Sequence, residues 1–179
     1  GTLTVGAGGA GAVSVSEGGE VRVAGLLNVG QKTDGALDIA SGGTLTVGGR
    51  DGNGMGAVLG RDVGVQGKLT VTGSGSTLTV DAGMQVGNAG IGAFSVLDGA
   101  IARVGLSTAN SELLVGMGHF GFPEGVANGT GTVTVDGVGS TLNYAGGFNL
   151  NDGSLAITHG GQLLSQRRDV DTTPVWLDI

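Results

Sequence analysis

A block of sequence recurs within this chain, and that recurrence restricts the possible folds more than any other feature. Residues 67–80 (GKLTVTGSGSTLTV) return as residues 131–144 (GTVTVDGVGSTLNY), 64 positions later. Looser copies surround both blocks. Each copy contains up to three short segments of alternating apolar side chains, separated by glycine-rich turns. Such a repeat is typical of a solenoid, because one copy cannot bury its own apolar face whereas stacked copies can.

The spacing of the copies predicts short strands rather than helices. Successive copies begin 22 to 39 residues apart, and no stretch keeps the i, i+3, i+4, i+7 pattern of a helix. At residues 77–80 (TLTV) the apolar and hydroxyl side chains alternate, as in a half-buried strand. The chain is therefore predicted to be all-β, a parallel β-helix (β-solenoid) of about six to seven coils with three short strands each.

The repeat also predicts which side chains stack inside the helix. One internal ladder is expected to contain Leu3 or Val21, with Leu45, Leu78, Ile101 and Leu142. A second is expected to contain Val13, Leu37, Leu69, Phe94, Val133 and Leu155. Glycines following the third strand of a coil should supply the left-handed backbone of a tight turn. These are Gly30, Gly60, Gly87 and Gly116, with Asn151 in the equivalent place in the last copy, since asparagine also tolerates that conformation.

Composition excludes several classes of protein. The 41 glycines come with only two prolines, which excludes collagen. The net charge of −7 and the absence of any basic cluster beyond Arg167-Arg168 argue against binding to nucleic acid or to an anionic membrane. The chain has no cysteine, hence no disulfide framework, and no apolar run long enough to cross a bilayer.

The repeat divides the chain into two parts. Residues 1–165 are predicted to be β-helix repeats, and the pattern is already in progress at residue 1, as expected of a piece of a longer solenoid. Residues 166–179 break the repeat, because glycine stops there and Pro174 and Trp176 enter. This segment is expected to be either a cap over the last coil or the start of an irregular coil.

The Gly-Ser-Thr-Leu block at 75–78 and 139–142 and the linker at 86–96 (VGNAGIGAFSV) resemble the passenger domain of a bacterial autotransporter (type V secretion). The resemblance covers roughly residues 1–165. It implies a right-handed β-helical stalk exposed or secreted outside a Gram-negative outer membrane, with a role in virulence-related adhesion, self-association or biofilm formation. It also implies a parent protein anchored by an outer-membrane barrel.

No catalytic, cofactor-binding or metal-binding residue is predicted. The carboxylates Asp38, Asp81, Asp98 and Asp136 form no column in the repeat, and His159 is expected to have no carboxylate nearby. The loop 49–54 (GRDGNG) offers two oxygen side chains but lacks the terminal acid of a calcium loop. The chain is therefore expected not to be an enzyme.

Two regions are predicted to contact a partner, which we expect to be a host surface or further copies of this chain in a homo-oligomer. The first is the insertion at 116–130, through His119, Phe120 and Phe122. The second is a hydroxyl-rich side carrying Thr44, Thr46, Thr77, Thr79 and Thr141, interrupted by Glu20, Arg22, Ala102 and Asn143. A β-helical polysaccharide lyase or hydrolase, a trimeric fibre of the phage tail-spike kind and an ice-binding solenoid remain as alternatives.

Overall fold

A computed structural model describes residues 1–106, 111–117, 129–165 and 177–178 of the 179-residue chain. These residues form nineteen short strands, and none of them belongs to a helix that could cross a membrane. The strands are β1 (Leu3–Val5), β2 (Gly11–Val15), β3 (Glu20–Val23), β4 (Leu27–Val29), β5 (Gly35–Ile39), β6 (Thr44–Val47), β7 (Met55–Leu59), β8 (Gln66–Thr72), β9 (Thr77–Val80), β10 (Gly83–Val86), β11 (Ile91–Leu97), β12 (Ile101–Val104), β13 (Glu112–Val115), β14 (Thr130–Asp136), β15 (Thr141–Tyr144), β16 (Gly147–Leu150), β17 (Gly153–Thr158), β18 (Gln162–Ser165) and β19 (Leu177–Asp178).

Every third strand belongs to the same sheet. Sheet A contains β1, β4, β7, β10, β13, β16 and β19; sheet B runs from β2 to β17 and sheet C from β3 to β18. All neighbours within a sheet are parallel, so each pass through the three sheets is one coil stacked on the preceding coil. This arrangement confirms the predicted parallel β-helix, with six coils that contribute a strand to all three sheets.

The strand register confirms one internal ladder in full and corrects the other. Val13, Leu37, Leu69, Phe94, Val133 and Leu155 are consecutive partners in sheet B. In sheet C the ladder continues from Val21, Leu45 and Leu78 through Ala102 to Leu142. Ile101 was therefore wrongly placed inside. It lies on the outer face beside Arg103, because side chains two residues apart share a face and a guanidinium does not enter an apolar core.

The interior is one continuous apolar cluster to which all three sheets contribute side chains. Leu27, Leu69, Met84 and Phe148 are among its most buried side chains. Tyr144 and Phe148 meet edge to face with ring centroids 5.5 Å apart, near the C-terminal end of the stack. Leu155 and Leu163 in the last coil are only partly buried. The core thus holds the coils together along the solenoid axis.

Glycines form the corner between sheets A and B. Gly30, Gly60, Gly87 and Gly116 all have φ between 64° and 77°, as predicted from their position after the third strand. Asn151 follows β16 in the equivalent register, but it is not among the described residues with positive φ, so that part of the prediction is wrong. Instead its side-chain Nδ2 donates to the carbonyl of Gly116 in the coil before it, at 3.4 Å.

The corner between sheets B and C comes in two lengths. Four coils have a short turn such as 97–100, where Asp98 (φ 53°) and Gly99 (φ 83°) are both left-handed and the Ala100 N–H donates to the Leu97 carbonyl at 3.1 Å. The third and fifth coils have turns one residue longer, at 72–76 and 136–140. The clearest sequence repeat is 64 residues because it runs from the third coil to the fifth, the two coils that share the longer turn.

Candidate functional site

The outer face of sheet C is the surface on which the predicted threonines meet. We define the sheet C face as the outward side chains of β3, β6, β9, β12, β15 and β18. Thr44 and Thr77 are partners in one outward row, and Thr46 and Thr79 are partners in the next. Thr141 lies further along the first row, beyond Ile101. All five predicted threonines are therefore on this one face, in two parallel rows.

Two threonines in the first row, Thr44 and Thr77, contact each other directly. The Thr44 and Thr77 hydroxyls lie 3.1 Å apart, so one donates to the other. The Thr141 hydroxyl donates to the Gly139 carbonyl at 3.3 Å. Because neighbouring coils are roughly 4.8 Å apart, the face presents a block of four hydroxyl groups on two adjacent coils, Thr44 and Thr46 beside Thr77 and Thr79. A hydroxyl both donates and accepts, so this surface can bond to another surface like itself.

Other side chains interrupt the threonine rows, and they differ in part from those predicted. Glu20 and Arg22 lie at the first strand, where their charged groups pair at 2.5 Å. Ile101 and Arg103 point outward in the fourth coil in place of Ala102, which is buried. Asn143 follows in the fifth coil. Two arginines against one glutamate make this face slightly positive on a chain whose net charge is −7.

The corner between sheets B and C contains an acid–histidine contact that the repeat did not predict. His159 Nδ1 lies 2.6 Å from Asp136 Oδ1, and the Thr158 hydroxyl donates to the same oxygen. The hydrogen bonds from Thr158 and His159 lower the pKa of Asp136 below its ordinary value. The expectation that His159 has no carboxylate nearby is therefore wrong. The contact arises because β14 and β17 are neighbours, which puts residue 159 beside the end of the preceding strand.

Two further carboxylates of the described ranges each make separate hydrogen bonds. Asp98 accepts a hydrogen bond from the Thr72 hydroxyl at 3.0 Å. Asp51 Oδ1 accepts from the backbone N–H groups of Asn53 and Met55, both at 2.9 Å, so it closes its own loop. Within the described ranges, no three His, Cys, Asp or Glu side chains are close enough together to hold a metal ion.

The other predicted contact region, the insertion at 116–130, is only partly covered by the described residues. His119, Phe120 and Phe122 fall within 118–128, outside the described residues. The connection 48–54, which joins β6 to β7, is longer than its equivalent in the preceding coil. Asp51 in this connection lines a small space together with Asn28, Val58 and Gln85, whose side chains lie outside sheet A.

The outer face of sheet A is the feature that the repeat did not reveal. Its outward side chains include Asn28, Val58, Gln85 and Leu114, and all four are buried. Met55 packs outside the sheet with Val58 and Leu114 in a small apolar cluster separate from the main core. One sequence signal could have revealed this buried outer face: an amide side chain stands between two apolar residues at 27–29 (LNV) and at 84–86 (MQV). All residues of both segments are buried.

Comparisons with known proteins add little to this description. No protein-family model and no curated protein sequence matches the chain. One solved structure, a TibC-catalyzed hyper-glycosylated TibA fragment, aligns with 98% of this chain and 87% of its own, at 15% identity and a TM-score of 0.13. A TM-score this low supports neither a shared fold nor a shared function.

Proposed function

We propose that this chain is a non-enzymatic segment of a surface-exposed or secreted stalk, in an adhesin-like autotransporter passenger, and that it associates with further copies of itself through the sheet C face. The observation that carries the proposal is the block of four outward threonines on two adjacent coils, within a stack of six coils that has one continuous core. The resemblance in the repeat supports placing the parent protein at a Gram-negative cell surface, with a role in adhesion or biofilm formation.

The stack is suited to act as a rigid spacer. Each strand is hydrogen-bonded to its equivalents in the coils before and after, and the core runs through all coils. Bending such a rod would break parallel ladders in three sheets at once. Short corners add stiffness, since four of the six turns from sheet B to sheet C are closed by a backbone hydrogen bond across a two-residue left-handed turn, as at Gly19, Gly43, Ala100 and Gly161.

Of the three outer faces, the sheet C face is best suited to meet its own copy. On sheet A, the central outward side chains Asn28, Val58, Gln85 and Leu114 are already buried. Sheet B exposes Asp38 and Lys68 among small residues. The sheet C face carries four threonines on two adjacent coils and little net charge, so two acidic chains can approach there without strong repulsion. A two-fold arrangement would set the same rows against each other.

Sedimentation velocity over a roughly hundredfold concentration range tests the self-association. We expect the wild-type chain to associate reversibly, and the double variant Thr46→Lys/Thr79→Lys to remain monomeric, because four lysines would face one another across the two-fold interface. Thr132→Lys is the control, since Thr132 is exposed on sheet B. Far-UV circular dichroism verifies that each variant keeps its β-sheet spectrum.

Two outcomes would reject this mode of association. A wild-type chain that stays monomeric throughout the range would leave a passive spacer. An association that the sheet B control disrupts and the sheet C variant does not would place the interface on the wrong face. A discrete trimer would favour the fibre of the tail-spike kind over the autotransporter stalk.

A further inference from the structure

Each strand of the sheet C face contributes one outward side chain to each of two rows. The first row runs from Glu20 in the first coil to Gln162 in the sixth, and the second row runs from Arg22 to Leu164. The rows carry opposite charges at the first coil, where Glu20 is negative and Arg22 is positive. The order of side chains along the two rows therefore limits how two copies of this face can fit together.

Two copies can pack this face together about a two-fold axis in two ways. If the axis runs along the solenoid, the copies point in the same direction and every coil meets the same coil of the partner copy. The first row then lies over the partner copy's second row. If the axis runs along the strands, the copies point in opposite directions. In full overlap the first coil then meets the sixth coil, and each row meets itself.

The parallel arrangement makes the charges of the first coil complementary. Glu20 of one copy lies over Arg22 of the other, and symmetry repeats the contact in the opposite sense. The ion pair that each copy already forms, with 2.5 Å between Glu20 Oε1 and Arg22 Nη2, becomes part of an alternating cluster of four charges. In the single chain the Glu20 side chain is 50% exposed and the Arg22 side chain is 76% exposed, so both are available to a second partner.

The coils that follow also suit the parallel arrangement. The four threonines of the second and third coils meet the same four threonines of the partner copy, so hydroxyls that donate and accept lie opposite one another. In the fourth coil Ile101 meets Arg103 of the other copy, and the methylene stem of an arginine covers an apolar side chain well. No like charges are opposed in any of these coils.

The antiparallel arrangement fits less well. In full overlap Arg22 lies over Leu164 and Glu20 lies over Gln162. Neither charge then meets an opposite charge of the partner copy, although both lose water. If the copies instead shift until the four threonines meet, Arg22 lies over Arg103, and like charges repel across the interface.

We propose that the partner of the sheet C face is a second copy pointing in the same direction, aligned coil for coil. This inference rests on the proposed self-association and specifies its geometry. Two stalks that rise from one cell surface would meet in this way, whereas stalks on two facing cells would meet in opposite directions. Two rows on six coils cover on the order of 300 Å² per copy, below the roughly 800 Å² of a stable complex, so a weak and reversible dimer is expected.

Cross-linking tests the direction, because the chain contains no cysteine and any introduced thiol is unique. Thr44 and Thr141 lie in the same row, in the second and fifth coils. Thr44→Cys and Thr141→Cys are treated with a short bismaleimide, each alone and as an equal mixture, at a concentration where sedimentation shows the dimer. In the parallel dimer each variant should cross-link to itself, and mass spectrometry should find almost no mixed product. Thr132→Cys, exposed on sheet B, is the control for random collision and should not cross-link.

Reversing the charges of the first coil gives an independent test. In the parallel dimer Arg22→Glu sets four carboxylates together, which should raise the dimer dissociation constant about tenfold at low salt. The exchange Glu20→Arg/Arg22→Glu should restore the wild-type value, because the exchanged charges still meet their opposites across the axis. Lys68→Glu makes the same change of charge at an exposed position on sheet B and should have little effect.

Distinct results would overturn this inference and the self-association on which it rests. A mixed cross-link alone, or a dimer in which either variant fails to cross-link to itself, would reject the parallel arrangement while leaving the self-association in place. So would an Arg22→Glu variant that associates like the wild type, or a charge exchange that does not restore association. A wild-type chain that is monomeric at every concentration would overturn both.

Discussion

The hydroxyl oxygen of Ser140 accepts a hydrogen bond from the backbone N–H of Gly99, one coil earlier in the stack, at 2.9 Å. Ser76 makes the same contact with the N–H of Gly42, at 3.1 Å. Both serines are fully buried at the end of the longer turns between sheets B and C. Each long turn thus supplies a side chain that secures the short turn of the preceding coil.

Replacing Ser140 by alanine should therefore loosen two coils at once. The change removes the acceptor for Gly99 and the hydrogen bond that the serine hydroxyl donates to the Asp136 carbonyl. We expect a loss of about 1–3 kcal/mol in the free energy of unfolding, measured by denaturant titration. Ser74→Ala, at an exposed position of the other long turn, should change it by less than about 0.5 kcal/mol. Equal effects of the two substitutions would contradict the role of the hydroxyl.

Gly67 should tolerate no side chain. A Cβ at this position would lie 2.0 Å from the Val29 carbonyl oxygen and 2.3 Å from the Gly60 nitrogen, both backbone atoms of the adjoining corner. We expect Gly67→Ala to cost on the order of 4 kcal/mol or to prevent folding, as seen in the melting temperature or in the yield of folded chain. Gly52→Ala is the control, because a Cβ there meets nothing within 4 Å. A stable Gly67→Ala variant would show that the corner opens more easily than the structure indicates.

Substitutions at two neighbouring residues test which side chains of β12 face the core. Ala102 is fully buried between Leu78 and Leu142, whereas Ile101 lies on the outer face. Ala102→Asp should destabilise the chain by about 3 kcal/mol or more, because it places an unpaired carboxylate in the core. Ile101→Thr should change stability by less than about 1 kcal/mol. The reverse order in thermal denaturation would restore the original assignment of Ile101 to the interior.

The stability of the last coils should depend on pH through Asp136. Its pKa is lowered in the folded chain by hydrogen bonds from Thr158 and His159. A lowered folded pKa means that the carboxylate contributes stability that is fully present above the pKa of the unfolded chain and lost as pH falls through the folded pKa. The melting temperature of the wild type should therefore exceed that of Asp136→Asn near neutral pH.

That difference should shrink as the solution is acidified below the ordinary range of an aspartate. Asp38→Asn, an exposed position on sheet B, serves as the control for general charge effects. A gap between wild type and Asp136→Asn that stays constant from neutral to strongly acidic pH would show that the contact adds nothing through ionisation.

Residue periodicity was sufficient to predict most of the architecture. In one strand, β12, it assigned the wrong side chains to the buried face. Residues that begin each copy, such as Leu69 and Phe94, stack as predicted because alternation leaves two possible faces and only one is apolar. Ile101 misled because it is the largest apolar residue of its segment. The information needed to correct it was present, since Arg103 shares its face and could not be buried.

The sequence alone determined the class of fold: alternating apolar residues fix which face of each strand is buried, and glycines fix where the backbone turns. Both are local effects of sterics and hydrophobic burial, so they can be read without knowing what lies beside them. Only the tertiary structure decided which side chains from different coils meet. The Asp136–His159 contact and the contacts that bury Asn28 and Gln85 outside sheet A depend on register between coils joined by connections of unequal length. No periodicity within one copy encodes those distances.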